Sequence, residues 1–193
     1  GYPNAFCKLF DRDASGQITA IREGYYNAAS YKSAGLQATL SYRLPLERIG
    51  VADAGVLGLS VNYFYRDKLE QRVGTGDVNH LAGEIGYPHH SGTATFTYVS
   101  KGFNALVQAQ YFGKGKYDVD EAPNARNIMG VGDWWLFNAT VGTRVNDQFS
   151  LKLIVDNVFN VKPPYPAPAG GGTVTYYSGI LGRYARIAAS VKF

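Results

Sequence analysis

The sequence predicts an all-β chain, a wall of about seven strands from a transmembrane antiparallel β-barrel. Three observations carry that prediction. The final segment, residues 183–193, alternates without interruption: Ala185, Ile187, Ala189, Val191 and Phe193 fall on one side, and Tyr184, Arg186, Ala188, Ser190 and Lys192 on the other. Such a strand suits a wall with lipid on one face and a wet lumen on the other. Composition agrees: 14% aromatic with 15 Tyr, 23 Gly, only 18% charged, and a mean hydropathy of -0.17. Finally, no apolar run approaches the ~20 residues of a membrane helix, so any span must be built from strands.

The strands follow in order. The first ends in residues 36–44, with Leu36, Ala38, Leu40, Tyr42 and Leu44 opposite Gln37, Thr39, Ser41 and Arg43, and is expected to begin near residues 18–31. The second, residues 56–65, sets Leu57, Leu59, Val61, Tyr63 and Tyr65 against Gly58, Ser60 and Asn62. In the third, residues 93–99, Thr93, Thr95 and Thr97 face away from Ala94, Phe96 and Tyr98, and the strand is expected to reach back toward His80 with Pro88 at an irregular position. The fourth, residues 104–112, sets Ala105, Val107, Ala109 and Tyr111 against Leu106, Gln108 and Gln110. The fifth, residues 134–145, places Trp135, Phe137, Ala139 and Val141 opposite Asn138, Thr140 and Arg144. The sixth, residues 149–159, places Phe149, Leu151, Leu153 and Val155 opposite Ser150, Lys152 and Asp156, and the seventh is the terminal strand.

The connections alternate in length. Residues 101–103 and 146–148 are tight turns, whereas residues 113–133, 160–182 and, less clearly, 66–79 are long. Short turns on one side and long loops on the other is the outer-membrane pattern. By phase, residues 45–54 belong on the short side, where ten residues fit less well. If the last strand ends in the periplasm, the long loops are extracellular and the Cys7 region lies outside the cell. Seven strands do not close a bacterial barrel, and an open arc would leave raw edges in lipid. The chain therefore reads as part of a larger barrel, and its start at Gly1 without a signal segment reads as processed or incomplete.

Other classes find little support. The net charge of +4 is modest and its Lys and Arg are scattered, with no basic helix, so nucleic acid is not an expected partner. No nucleophile elbow, zinc-protease helix or local Ser/His/Asp grouping is present, and no enzyme activity is expected. The run 74–76 is too short for a phosphate loop and precedes no helix; no cofactor is expected. Cys7 has no second cysteine in this chain, which in an exported protein points to a disulfide partner outside it or to a reactive thiol, the missing partner being favoured.

The run 155–164, VDNVFNVKPP, is similar to the V-x-N-L-F-D-x-x-P-P motif near the end of TonB-dependent receptors. Some twenty residues later Leu181, Gly182, Arg183 and Tyr184, with terminal Phe193, resemble that family's closing strand. Upstream, residues 4–7, Arg12, Asp13, residues 16–18 and residues 33–36 resemble the loop and strand that precede such endings, with Gln37 at a usually acidic position. The resemblance implies that residues 1–193 are the C-terminal portion of a 22-stranded barrel filled by an N-terminal plug, with plug, TonB box and earlier strands not in this chain. It implies a Gram-negative outer-membrane location, contact with outer-membrane lipid and with the TonB complex, and uptake of an extracellular nutrient such as a siderophore, haem, cobalamin or glycan. It also makes Phe193 the barrel assembly signal.

Candidate ligand contacts are the lumen-facing and loop residues near the external rim: Asp118, Asp120, Arg126, Trp134 and Tyr176. Asp118, Asp120 and Glu121 lack the Gly-turned loop of a Ca²⁺ site, and His89 and His90 as strand neighbours point to opposite faces, so no metal site is expected. Trp134 with Trp135 and Tyr176 with Tyr177 read first as interfacial girdle aromatics, alternatively as ligand-stacking platforms. The Pro-rich and Gly-rich stretch 163–172 reads either as a loop able to move over a ligand or as a tolerated surface loop. A passive porin, a barrel enzyme and a soluble lipid-binding barrel are the competing readings.

Overall fold

The computed structural model describes residues 5–22, 30–73, 76–164 and 181–192. A short 3-10 helix, Ala5–Leu9, leads into β1 (Phe10–Arg12) and β2 (Ile18–Ile21). The remaining strands are β3 (Ser30–Pro45), β4 (Val56–Arg72), β5 (Val78–His80), β6 (His90–Val99), β7 (Phe103–Phe112), β8 (Gly115–Lys116), β9 (Gly130–Val131), β10 (Trp134–Arg144), β11 (Phe149–Asp156) and β12 (Tyr184–Val191). Seven long strands form one antiparallel sheet in the order β3-β4-β6-β7-β10-β11-β12, with β5 added to the far end of β4. Each long strand pairs with its neighbour in sequence, which only short or returning connections allow. The sheet is open, and β3 and β12 are its edges.

The register decides what each face carries. One row reads Arg43, Gly58, Thr97, Leu106, Thr140, Ile154 and Arg186 across the seven strands. A neighbouring row on the opposite face reads Tyr42, Leu59, Phe96, Val107, Ala139 and Val155. Because side chains alternate with period two, each strand's apolar set lands on one side of the whole sheet. That side is bare: Leu36, Leu40, Phe96, Val107, Leu153 and Ile187 are all exposed, Ile187 at 79%. An apolar face this extensive is unsustainable in water and matches a lipid-facing wall. Aromatic residues mark both of its ends. Tyr63, Tyr65, Tyr111, Trp135 and Phe137 crowd one end, with Tyr111 and Trp135 4.5 Å apart between ring centres. Tyr98 and Phe103 pack 5.9 Å apart at the other.

The short connections all lie at the Tyr98 end. In the turn after β10, Asn146 Oδ1 accepts from the backbone N–H of Gln148 and Phe149, at 3.0 and 2.8 Å. The ten-residue connection that fitted the pattern less well is compact. Residues 46–49 form a 3-10 turn, Leu46 N–H donates to Gly55 C=O at 2.9 Å, and Lys101 from the next turn pairs with Asp53 at 2.8 Å. Gly55 has a φ of 92°, and a Cβ there would lie 2.2 Å from the Val99 carbonyl oxygen, so only glycine closes this turn.

Several expected boundaries move. The first strand begins at Ser30, at the late end of the expected range 18–31; β2 instead pairs with β1 in a separate hairpin, where Asp13 Oδ1 accepts from Ser15 N–H, Ser15 Oγ–H and Gln17 N–H. Those donors hold the Asp13 carboxyl below its usual range. The Arg22 guanidinium pairs with Asp11 across the same hairpin. The third strand does not extend to His80, which lies in β5 on β4; Pro88 has no N–H to give a ladder, and Gly83 and Gly86, both at φ 92°, bend the chain first. The second strand instead runs on to Arg72, past a register shift at Ala34 and Gly35. The sixth ends at Asp156 rather than Phe159, because Asn157 takes a left-handed φ of 53°.

Candidate functional site at the long-loop rim

The long connections fold inward over the lumen face. Above β4, β5 brings Leu81 N–H to Leu69 C=O at 2.8 Å, and Leu69 is buried. Residues 81–87 then run beside β8: Ile85 N–H donates to Lys116 C=O at 2.8 Å and Lys116 N–H to Gly83 C=O at 2.9 Å. β8 in turn pairs with β9, and a Cβ at Gly130 would sit 2.2 Å from the Gly115 carbonyl oxygen. Beneath this layer Ile85, Val131, Trp134 and Leu136 form a small buried core, with Phe112, Tyr117 and Val161 packed against it. Phe112, Trp134 and Leu136 occupy lumen-facing positions of β7 and β10, so this core sits on the inner wall. Burying about 25 cal/mol per Å² of such apolar surface is what orders these loops.

The run 157–162 is fastened onto that core. Asn157, 1% exposed, donates from Nδ2 to Val161 C=O at 2.8 Å and accepts from Val161 N–H at 2.9 Å, while its own N–H donates to Asn138 Oδ1 at 2.9 Å. Lys162 C=O accepts from Trp134 Nε1 at 3.3 Å, and Asn160 Oδ1 accepts from Arg183 N–H at 2.9 Å. Thus Asn157 and Asn160 hold both ends of the long connection before β12.

The charged candidates of residues 118–126 come together at the rim, Asp120 and Arg126 exposed and Asp118 half-buried. Asp120 accepts from His80 N–H at 2.8 Å, and its other oxygen lies 2.8 Å from His80 Nδ1. His80 Nε2 stands 3.8 Å from Glu70, so the ring links β4, β5 and the next loop. Asp118 Oδ1 accepts from Asp120 N–H at 2.8 Å. Arg126 forks onto Glu121 with contacts of 2.7–2.9 Å, its guanidinium 5.4 Å from the Tyr117 ring centre. Pairing lowers the Glu121 carboxyl and raises Arg126, whereas burial, with Asp118 and Asp120 nearby, pushes Glu84 up.

Trp134 and Trp135 divide as alternation requires. Trp135 lies 48% exposed on the outer face, and Trp134, 4% exposed, packs at a tilt against Phe112, 5.7 Å between ring centres, inside the rim core. Its burial makes Trp134 a packing residue rather than an open ligand platform. His89 Nδ1 lies 2.7 Å from Arg66 C=O, and His90 Nδ1 2.7 Å from Tyr63 Oη–H. Among the described residues no group of three or more His, Cys, Asp or Glu is placed to hold a metal ion. Cys7 lies in the 3-10 helix ahead of β1; Tyr176, Tyr177, Phe193 and most of residues 163–172 lie outside the described residues. Sequence reasoning missed His80 and Glu84 as rim residues, because their partners lie on other loops.

The profile of the family described as TonB dependent receptor-like, beta-barrel matches residues 8–158. The chain belongs to that family. No curated protein and no solved structure matches it. The matched span covers the sheet from β3 to β11, and β12 continues the same two faces beyond it. This is a family of outer-membrane receptors and transporters rather than of enzymes. Its barrel places the short turns toward the periplasm and the inward-folded loops at the extracellular rim.

The rim has a pH-dependent tie. The donors from His80 N–H and its ring stabilise the charged Asp120 carboxylate and hold it below its ordinary value of 3.8. A depressed carboxylate contributes stability above its unfolded value and loses it as pH falls through the folded one. The hydrogen-exchange protection of the His80 amide is therefore expected to persist at neutral pH and to fall only well into acid. In Asp120→Ala that protection is expected to drop at neutral pH too; unchanged protection would show that the loops are joined elsewhere.

Proposed function

We propose that this chain is the C-terminal barrel wall of a receptor that captures a scarce nutrient outside the cell and imports it to the periplasm with TonB-transmitted energy. The observation that carries the reading is the two-faced register of seven membrane-length strands in a chain of this family. The open edges of β3 and β12 need partner strands in lipid, so the working barrel includes further strands, with a plug in its lumen as the 22-stranded size class has. The preordered rim offers the capture surface. Asp120 and Arg126 are exposed there, with Asp118 half-buried beside them and Trp134 supporting the surface from below; Tyr176, outside the described residues, is a further proposed ligand contact. Cys7 forms a disulfide with a cysteine elsewhere in the receptor, and Phe193 serves as the assembly signal.

Uptake of the cognate nutrient by cells carrying the full receptor tests this. Uptake is expected to stop when TonB is deleted and to weaken when Asp118, Asp120 and Arg126 are replaced together. Uptake indifferent to TonB would instead make the protein a passive channel.

A further inference from the structure

The two halves of the lumen wall treat their polar groups differently. Toward the extracellular rim they satisfy one another. Arg186 pairs with Asp156 at 3.0 Å, Thr39 Oγ1–H donates to Asn62 Oδ1 at 3.0 Å, and Gln110 Nε2 donates to Gln108 Oε1 at 3.0 Å. Toward the periplasmic turns Lys101 pairs with Asp53, but Arg144 and Lys152 form no ion pair with any described residue. Arg144 is paired across the ladder with Ser150, and Lys152 with Gly142, so both cations share the lumen face on the diagonal, roughly 7–8 Å apart at the backbone.

They border a cavity of about 540 Å³ that also takes in Asn104, Gly142, Ser150 and Ser190. Gly142 is what makes room there: a Cβ would fall 2.6 Å from Asn104 Oδ1, so the missing side chain lets the Asn104 amide lie beside Lys152. None of Arg144, Lys152, Asn104, Ser150 or Ser190 makes a side-chain hydrogen bond or ion pair with another described residue. Two like charges on one diagonal repel, and an oxyanion between them would turn that repulsion into attraction for both. A guanidinium fork, an ammonium, an amide and two hydroxyls converging on one space form a donor set for a planar or tetrahedral oxyanion.

We propose that this part of the lumen wall is a binding site for a carboxylate or phosphate group of the imported solute, reached on its way to the periplasm. The site deepens the transport reading above, on which it rests for its place along the path. Arg144 grips the oxyanion through its fork, Lys152 supplies the second charge, and the amide and hydroxyls fill its remaining acceptor positions.

Titration calorimetry on the purified full-length receptor in detergent, with inorganic phosphate and with citrate in separate arms, tests the site; the stronger arm identifies the oxyanion. Saturable binding is expected in one arm, weakened tenfold or more in Arg144→Gln and in Lys152→Gln. Lys152→Arg, which keeps the charge, is expected to retain it, as is Lys114→Gln at the opposite end of the barrel. No binding in either arm, or binding unchanged in the double Gln variant, overturns the site; an acidic segment of the receptor filling the cradle would give the first of these results. Failure here with TonB-dependent uptake intact removes only this site, whereas anion binding with TonB-independent uptake removes the transport mechanism and leaves the site standing.

Discussion

Val107→Arg is expected to cost about 2–4 kcal/mol of folding stability in a bilayer, enough to lower sharply the yield of folded full-length receptor. Val107 is central on β7, 47% exposed on the outer face, with Ala139 and Phe96 as its ladder partners. Its surroundings are apolar side chains and, in the membrane, acyl chains that offer no partner to a guanidinium. Thr140→Arg is the control. Thr140 neighbours Ala139 in sequence but points to the lumen, in the row of Leu106 and Ile154. There the new charge faces the polar lumen instead of acyl chains, and the expected cost is below about 1 kcal/mol. Folding into vesicles, read as the fraction of receptor that resists heat unfolding on a gel, compares the two. Equal yields would mean that the exposed apolar face does not meet lipid.

The second large effect lies at Asn157. Asn157→Ala removes both bonds to Val161, a half-buried residue, and leaves its N–H and C=O without them, a loss of about 1–3 kcal/mol. It also forces alanine into a left-handed φ of 53°, adding roughly 1 kcal/mol. Asn157→Gly relieves only the backbone part and is expected to be the milder variant by about that amount. Because Val161 and Lys162 seat on the Trp134 core, the damage is local: the Val161 amide exchanges faster and the run 157–162 becomes protease-sensitive, while the sheet stays folded. A protected Val161 amide in Asn157→Ala would show that another contact holds the rim.

Residues 155–164 resemble a motif of the family, and Asn157 shows what that run does physically in this chain. The asparagine stops β11, reverses the chain and caps its own turn, so the motif is a fastener rather than a ligand site. The alternation of Leu57 to Tyr65 or Phe149 to Val155 was equally legible, because lipid and lumen demand opposite polarity at every second residue. The extension of β4 to Arg72 was not legible: above the membrane β4 pairs with β3 and β5 rather than lipid, and the apolar alternation lapses. Trp134 looked like an open rim aromatic for a related reason. Alternation gives the face of the wall, but not what covers it.

By itself, then, the sequence determined the two-faced wall, its long strands, the side of each turn and the family, since these follow from local periodicity and chain length. Only the tertiary structure decided that the extracellular loops form a core over Trp134, that Asp120 reaches forty residues back to His80, and that Arg144 and Lys152 share one diagonal of the lumen face. Those features depend on register between strands and on contacts between loops distant in sequence, and no pattern within one segment encodes either.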